Sequence, residues 1–312
     1  MPANPNSELV PRRPIPPTPR RDGHEGEHLR RRAIQPPPDE LNVFYGTLLR
    51  EGRRDGKGGL SPKTVHNIHV MLHKALHDAV RWNYLPRNVA EFADPPRQTA
   101  GKAMSTWTPE ELRTFLQFVE DNPLYAAWVL AANTGMRRGE VLGLRWQDID
   151  FDRRRLAIRH TIISIDYRVE ISEPKTARGR RSVALDGGTV AALRAHRAAQ
   201  NQEKLMLGEA YRDAGLVFCR ADGTPVHPDR FTQMFDKHVK ECDLPRIRLH
   251  DLRHTHATLA LAAGIHSKVV SERLGHSTVA FTMDVYSHAI PSMEAEAAET
   301  IAKLVRGDRS GA

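Results

Sequence analysis

Between Leu156 and Leu185 the chain alternates: Leu156, Ile158, His160 and Ile162 come first, then Ile165, Tyr167 and Val169, then Ser182 to Leu185. Alternation puts successive side chains on opposite faces of a strand, so this stretch predicts a small antiparallel sheet. On both sides of it apolar residues recur at spacings of three and four, the period of a helix with one buried face. The expected fold is therefore mainly α with a small antiparallel sheet.

Helical spacing begins only after a head of another kind. Residues 1–38 hold ten of the chain's 21 prolines and seven of its arginines, with almost no large apolar residues, so they offer no core and are expected to be disordered. Residues 39–97 read as a small helical domain. Leu41, Phe44, Leu48 and Leu49 share one face of a first helix, Ser61 and Pro62 start a second, and Val65, Ile68, Leu72, Leu76 and Val80 form its stripe. Asn88 is placed to cap a further short helix. Residues 98–104 read as a polar linker, and residues 105–306 as a larger domain. That domain opens on Thr108-Pro109-Glu110-Glu111, a capping box with proline at the first helical position. Leu124, Ala127, Trp128 and Ala131 mark a second helix of this domain, stopped around Asn133 to Gly135.

The formal charge is +8, the footprint of a partner carrying many phosphates, so nucleic acid leads the partner classes. No apolar run approaches the roughly 20 residues of a membrane span. Two cysteines, Cys219 and Cys242, make no disulfide framework and fit a reducing, intracellular compartment.

Four segments of the larger domain concentrate cations, imidazoles and a tyrosine. In Thr134-Gly135-Met136-Arg137-Arg138-Gly139-Glu140, a helix would bring Glu140 beside Arg137, an arrangement that alone is an ordinary surface ion pair. Lys175 begins a basic turn between two strands, where a lysine is ordinarily just solvated. In His250-Asp251-Leu252-Arg253-His254-Thr255-His256, His250 and Arg253 sit one turn apart, able to face one cleft. The three histidines also admit a zinc reading, but no glutamate lies inside the motif and neither cysteine stands at ligand spacing. The last segment joins Leu274-Gly275-His276 to Tyr286, a tyrosine that would ordinarily be packing. With cations to neutralise a phosphate and a proton donor for the leaving oxygen, it is a sufficient nucleophile toward phosphorus.

In order and spacing these segments resemble the tyrosine recombinase family of phage integrases and chromosome dimer resolvases: Thr-Gly-x-Arg-x-x-Glu, a lysine in a β-turn, His-x-x-Arg, Leu-Gly-His, then a tyrosine about ten residues on. The resemblance covers residues 105–305 well and 39–97 partially. It implies that Arg137 and Arg253 clamp the scissile phosphate, Lys175 protonates the leaving 5′ oxygen, His250 and His276 hydrogen-bond the phosphate and help manage the tyrosine proton, Glu140 is a buttress, and Tyr286 attacks to leave a 3′-phosphotyrosyl link. It implies no cofactor and no metal. Its partners would be double-stranded DNA and three further copies in a homotetramer on synapsed sites, with an accessory directionality factor as another, in the bacterial cytoplasm at the nucleoid. The helix near Ser292, with Met293, Ala297, Ile301 and Leu304 on one side, resembles a tail that docks on a neighbouring protomer or on its own domain. The amino end departs from the family pattern, since only about the latter half of the core-binding domain is recognisable. The competing readings are a catalytically idle DNA-binding remnant of a mobile-element integrase and a relaxing topoisomerase with the same tyrosine chemistry.

Overall fold

A computed structural model describes residues 37–97, 105–173, 179–276, 278–286 and 293–306. The chain divides into two compact units, Met1–Lys102 and Ala103–Ala312.

In the first unit, α1 (Pro38–Glu51) and α2 (Pro62–Arg81) precede a 3₁₀ turn, Val89–Phe92. The Ser61 hydroxyl accepts the Thr64 amide at 3.2 Å and starts α2, while the Asn88 side chain accepts the Ala90 amide and starts the turn. The core is Leu41, Tyr45, Val65, Val89, Ala90 and Ala93, with Leu48, Leu49, Leu72 and Leu76 packed around it. Phe44, expected inside, is 44% exposed, and Tyr45 takes its place. Among the described residues the buried seam of α1 is narrow. It centres on Leu41, Tyr45 and Leu48, leaving Phe44 on its flank.

The second unit runs α3 (Pro109–Phe118), α4 (Tyr125–Thr134), α5 (Arg138–Leu142), β1 (Ile149–Asp150), β2 (Arg155–Ile158), β3 (Thr161–Ile165), β4 (Arg168–Ser172) and β5 (Arg181–Ala184). It then continues through α6 (Gly187–Leu207), α7 (Pro228–Glu241), α8 (Leu249–Ala262), α9 (Ser267–Leu274), α10 (Val279–Tyr286) and α11 (Met293–Arg306). Thr108 and Glu111 form the expected capping box at the head of α3. Because α4 is apolar all round, it is buried all round. Trp128 from α4 stacks on Phe231 of α7 with ring centroids 4.3 Å apart, and Trp107, Phe115 and Phe235 close the aromatic centre.

Mainly α with antiparallel strands holds, but the single expected sheet is two. One sheet orders β1-β2-β5, with Leu156 opposite Val183, and the other is the β3-β4 hairpin. His160 sits in the break between them, its Nδ1 3.6 Å from the buried Asp148 carboxylate. Tyr167, expected in a strand, shares the hairpin turn with Asp166. Both have positive φ (61° and 47°), the geometry whose twist suits a two-residue hairpin. Among the described residues no helix is long and apolar enough to cross a membrane.

Two glycines let the site elements close on one another. A Cβ on Gly139 would lie 2.5 Å from the Ile162 carbonyl oxygen, so only glycine lets α5 rest on β3. Gly135 ends α4 at φ 63°, a left-handed cap that turns its carbonyl toward α8.

Candidate active site

The site is assembled from the ends of helices. Arg137 occupies the extended position just before α5, not a helical face as its spacing suggested. From there its backbone N–H and its guanidinium both donate to Glu140, each at 2.8 Å, and a further guanidinium N–H reaches the Gly275 carbonyl at 3.3 Å. The same device recurs before α8, where the Arg248 backbone N–H and guanidinium donate to Asp251. In each case an arginine precedes the helix and an acid in the first turn reaches back to it, satisfying an orphan amide while holding a cation.

Glu140 is 4% exposed. Burial alone would raise its pKa. Hydrogen bonds from Arg181 and the pull of Arg137 more than reverse that and keep it ionised. Arg181, at the start of β5, also donates through Nε to the Arg273 carbonyl at 2.6 Å. One buried guanidinium thus joins α5, β5 and the end of α9.

Arg253 on α8 is 4% exposed and donates to the carbonyls of Gly135 (2.6 Å) and Leu274 (2.7 Å). Burial, with Arg137 and Arg181 adding like charge, lowers its pKa to about 9, so it stays protonated at neutral pH. Each of its terminal nitrogens carries two hydrogens and gives one to a carbonyl, which leaves one apiece for an incoming oxyanion.

His250 borders a cleft of about 390 Å³ that Arg138, Arg246, Arg248 and Arg253 also line. Partial burial, and then Arg253, lower its pKa. His276 follows Gly275, whose left-handed φ of 70° ends α9, and its Nδ1 lies 2.8 Å from the Thr282 hydroxyl. Its ring is nearly parallel to that of Tyr286, with centroids 6.4 Å apart. Burial, then Arg253 and Arg137, bring the His276 pKa to about 4.

Tyr286 is the last residue of α10 and only 2% exposed. Its hydroxyl lies 2.7 Å from His254 Nδ1. Burial raises the tyrosine pKa to about 12, with Arg253 pulling the other way. His256 turns away from this cluster, with Nδ1 3.0 Å from the Ala132 carbonyl, so the three histidines of α8 do not converge on one point. Among the described residues no group of three or more histidines, cysteines or acids is arranged to hold a metal ion.

Of the six residues singled out from sequence, Arg137, His250, Arg253, His276 and Tyr286 fall in this one region. Lys175 lies outside the described residues, as do Ser292 and the head before residue 37. Sequence reasoning missed two participants. Arg181 is one arginine in the run Arg178-Gly179-Arg180-Arg181, with nothing local to distinguish it until β5 pairs with β2. His254 carries a usable signal, four residues after His250 on one helix face, although that spacing by itself suggests only a metal ligand.

Residues 106–293 match the model of the phage integrase family. The chain belongs to that family. Its enzyme class is the tyrosine-type site-specific recombinase, which cuts and rejoins DNA. This integrase-family chain is 32% identical over 249 residues to the ICEBs1 integrase of Bacillus subtilis strain 168, covering 79% of this chain and 67% of that one. It is 28% identical over 282 residues to a XerC-like tyrosine recombinase of Caldanaerobacter subterraneus subsp. tengcongensis, covering 85% and 70%. Its fold matches the Tn1549 transposon integrase solved in complex with a circular intermediate DNA, with a TM-score of 0.68 at 23% identity and 85% of each chain covered.

Proposed function

We propose that the chain recombines mobile-element DNA at specific sites, with Tyr286 as nucleophile and Arg137 and Arg253 as the clamp on the scissile phosphate. The observation that carries this reading is convergence. Residues from three of the four segments come together: Arg137 and Arg253 both donate to carbonyls at the end of α9, next to His276, whose ring lies against Tyr286, and the tyrosine hydroxyl meets His254. The free N–H groups of Arg253 and the half-exposed guanidinium of Arg137 supply donors for the two nonbridging oxygens, where charge builds in the transition state.

Attack by the Tyr286 oxygen forms a 3′-phosphotyrosyl bond and breaks the bond to the 5′ oxygen, which Lys175 protonates. His250, beside Arg253 at the cleft, and His276 hydrogen-bond the phosphate. One phosphodiester-level bond replaces another, so rejoining needs no nucleotide, and two arginines provide the positive charge without a metal ion. Double-stranded DNA is the partner, a role supported by the DNA complexes in which the Tn1549 and lambda integrases were solved. Exchange of strands between two sites calls for a homotetramer, joined where direction is controlled by an accessory factor, acting in the cytoplasm at the nucleoid.

The test is a nicked suicide duplex carrying candidate attachment sequence, incubated with the protein and chelator and run on a denaturing gel. A covalent adduct that vanishes in Tyr286→Phe is expected. Duplex binding without any adduct would instead favour an idle DNA-binding remnant.

A further inference from the structure

We propose that His254 is the base for the nucleophile: its Nδ1 takes the Tyr286 hydroxyl proton as the tyrosine oxygen bonds to phosphorus. This rests on the reading of Tyr286 as nucleophile and deepens it, because the resemblance to the family assigns the tyrosine proton to His250 and His276.

Three observations point to His254. Its Nδ1 is 2.7 Å from the tyrosine oxygen, within direct proton-transfer reach. Tyr286 is 2% exposed, so bulk water does not bathe the hydroxyl, and the proton must first pass to a protein neighbour. His276 has its Nδ1 engaged with Thr282, and the His250 ring stands edge to face against His254 at 4.9 Å, one ring further from the tyrosine.

The surroundings keep His254 an acceptor. Burial first, then His250, Arg253 and Arg248, outweigh the opposing pull of Asp251 and lower its pKa to about 4, so the ring is neutral at physiological pH and the tyrosine donates to it. The His276 ring lies nearly parallel to that of Tyr286, and Arg137 reaches the carbonyl of the neighbouring Gly275. Without DNA the tyrosine, at about 12, holds its proton far more tightly than His254 would. A phosphate between Arg137 and Arg253 offsets that cationic field and raises the basicity of His254, which couples proton transfer to substrate binding. The tyrosine O–H bond breaks as its O–P bond forms, and the proton goes to Nδ1. The leaving 5′ oxygen takes a separate proton from its acid. On rejoining, His254 returns its proton to the tyrosine oxygen.

The experiment measures single-turnover adduct formation by the full chain on the nicked duplex, with an ordinary 5′ oxygen and with a 5′-bridging sulfur that leaves without a proton. His254→Gln, which accepts a hydrogen bond but no proton, is expected to slow adduct formation roughly a hundredfold or more on both substrates. A Lys175→Ala defect should be relieved by the sulfur. The wild-type rate should level off above the pKa of the base, whereas the His254→Gln rate should keep climbing with pH. Added imidazole should restore His254→Ala, which guards against a purely structural loss. A His254→Gln rate within about threefold of wild type, with the same pH profile and the adduct still on Tyr286, overturns the proposal alone. An adduct that persists in Tyr286→Phe overturns the nucleophile itself.

Discussion

Arg181 grips Glu140 with two parallel N–H donors, each 3.0 Å from a carboxylate oxygen, so the acid that steadies Arg137 is itself held from β5. Both side chains are less than a tenth exposed, which makes the pair a structural joint of the site.

Breaking that joint from one side leaves a buried charge unmatched. Arg181→Met is expected to destabilise the second unit by about 3 to 5 kcal/mol, measured by urea unfolding. Glu140→Gln should cost a comparable amount, because its amide NH2 would face two of the four N–H donors that the carboxylate accepts and Arg181 would lose its counter-charge. An Arg181→Met loss below about 1 kcal/mol would mean that the pair contributes little to the fold.

Arg253 is tested by comparing lysine with alanine. A lysine carries charge but cannot span the Gly135 and Leu274 carbonyls while also offering donors to a phosphate. Both Arg253→Lys and Arg253→Ala are therefore expected to lose roughly a hundredfold or more in adduct formation. Near-normal cleavage by Arg253→Lys would show that charge alone suffices.

Gly135→Ala forces a left-handed residue to carry a Cβ, which would lie 2.5 Å from Leu274 Cδ2 and 2.9 Å from the His256 ring. A stability loss of about 1 to 2 kcal/mol is expected from the backbone alone. Cleavage should fall in parallel, since the Gly135 carbonyl is one of the two that aim Arg253. Thermal unfolding and single-turnover cleavage of the same variant test the two effects together.

Acid should loosen the second unit before it denatures generally. Burial lowers the pKa values of His254, His256 and His276 to about 4, against an ordinary 6.5. Between those values the unfolded chain binds more protons than the folded one. Stability is thus complete above about pH 6.5 and falls as pH drops toward 4, by at most about 1.4 kcal/mol per pH unit for each histidine. Unfolding midpoints at pH 5 and pH 7 measure this, and His256→Gln should flatten the slope without touching the cleft.

Much of the chain was legible from sequence because the signals were local. A cap needs a hydroxyl or carboxylate within one turn of the amide it serves, so Ser61, Asn88 and the Thr108–Glu111 box could be placed before any tertiary structure. The order of Arg137, His250, Arg253, His276 and Tyr286 likewise carried the resemblance to the family to which the chain belongs. Only the tertiary structure could pair Arg181 with Glu140, 41 residues apart, or His254 with Tyr286, 32 apart. Those contacts depend on the path of the chain between the partners. Two sheets also replaced one for that reason, since alternation shows which residues suit a strand but not which strand lies beside it.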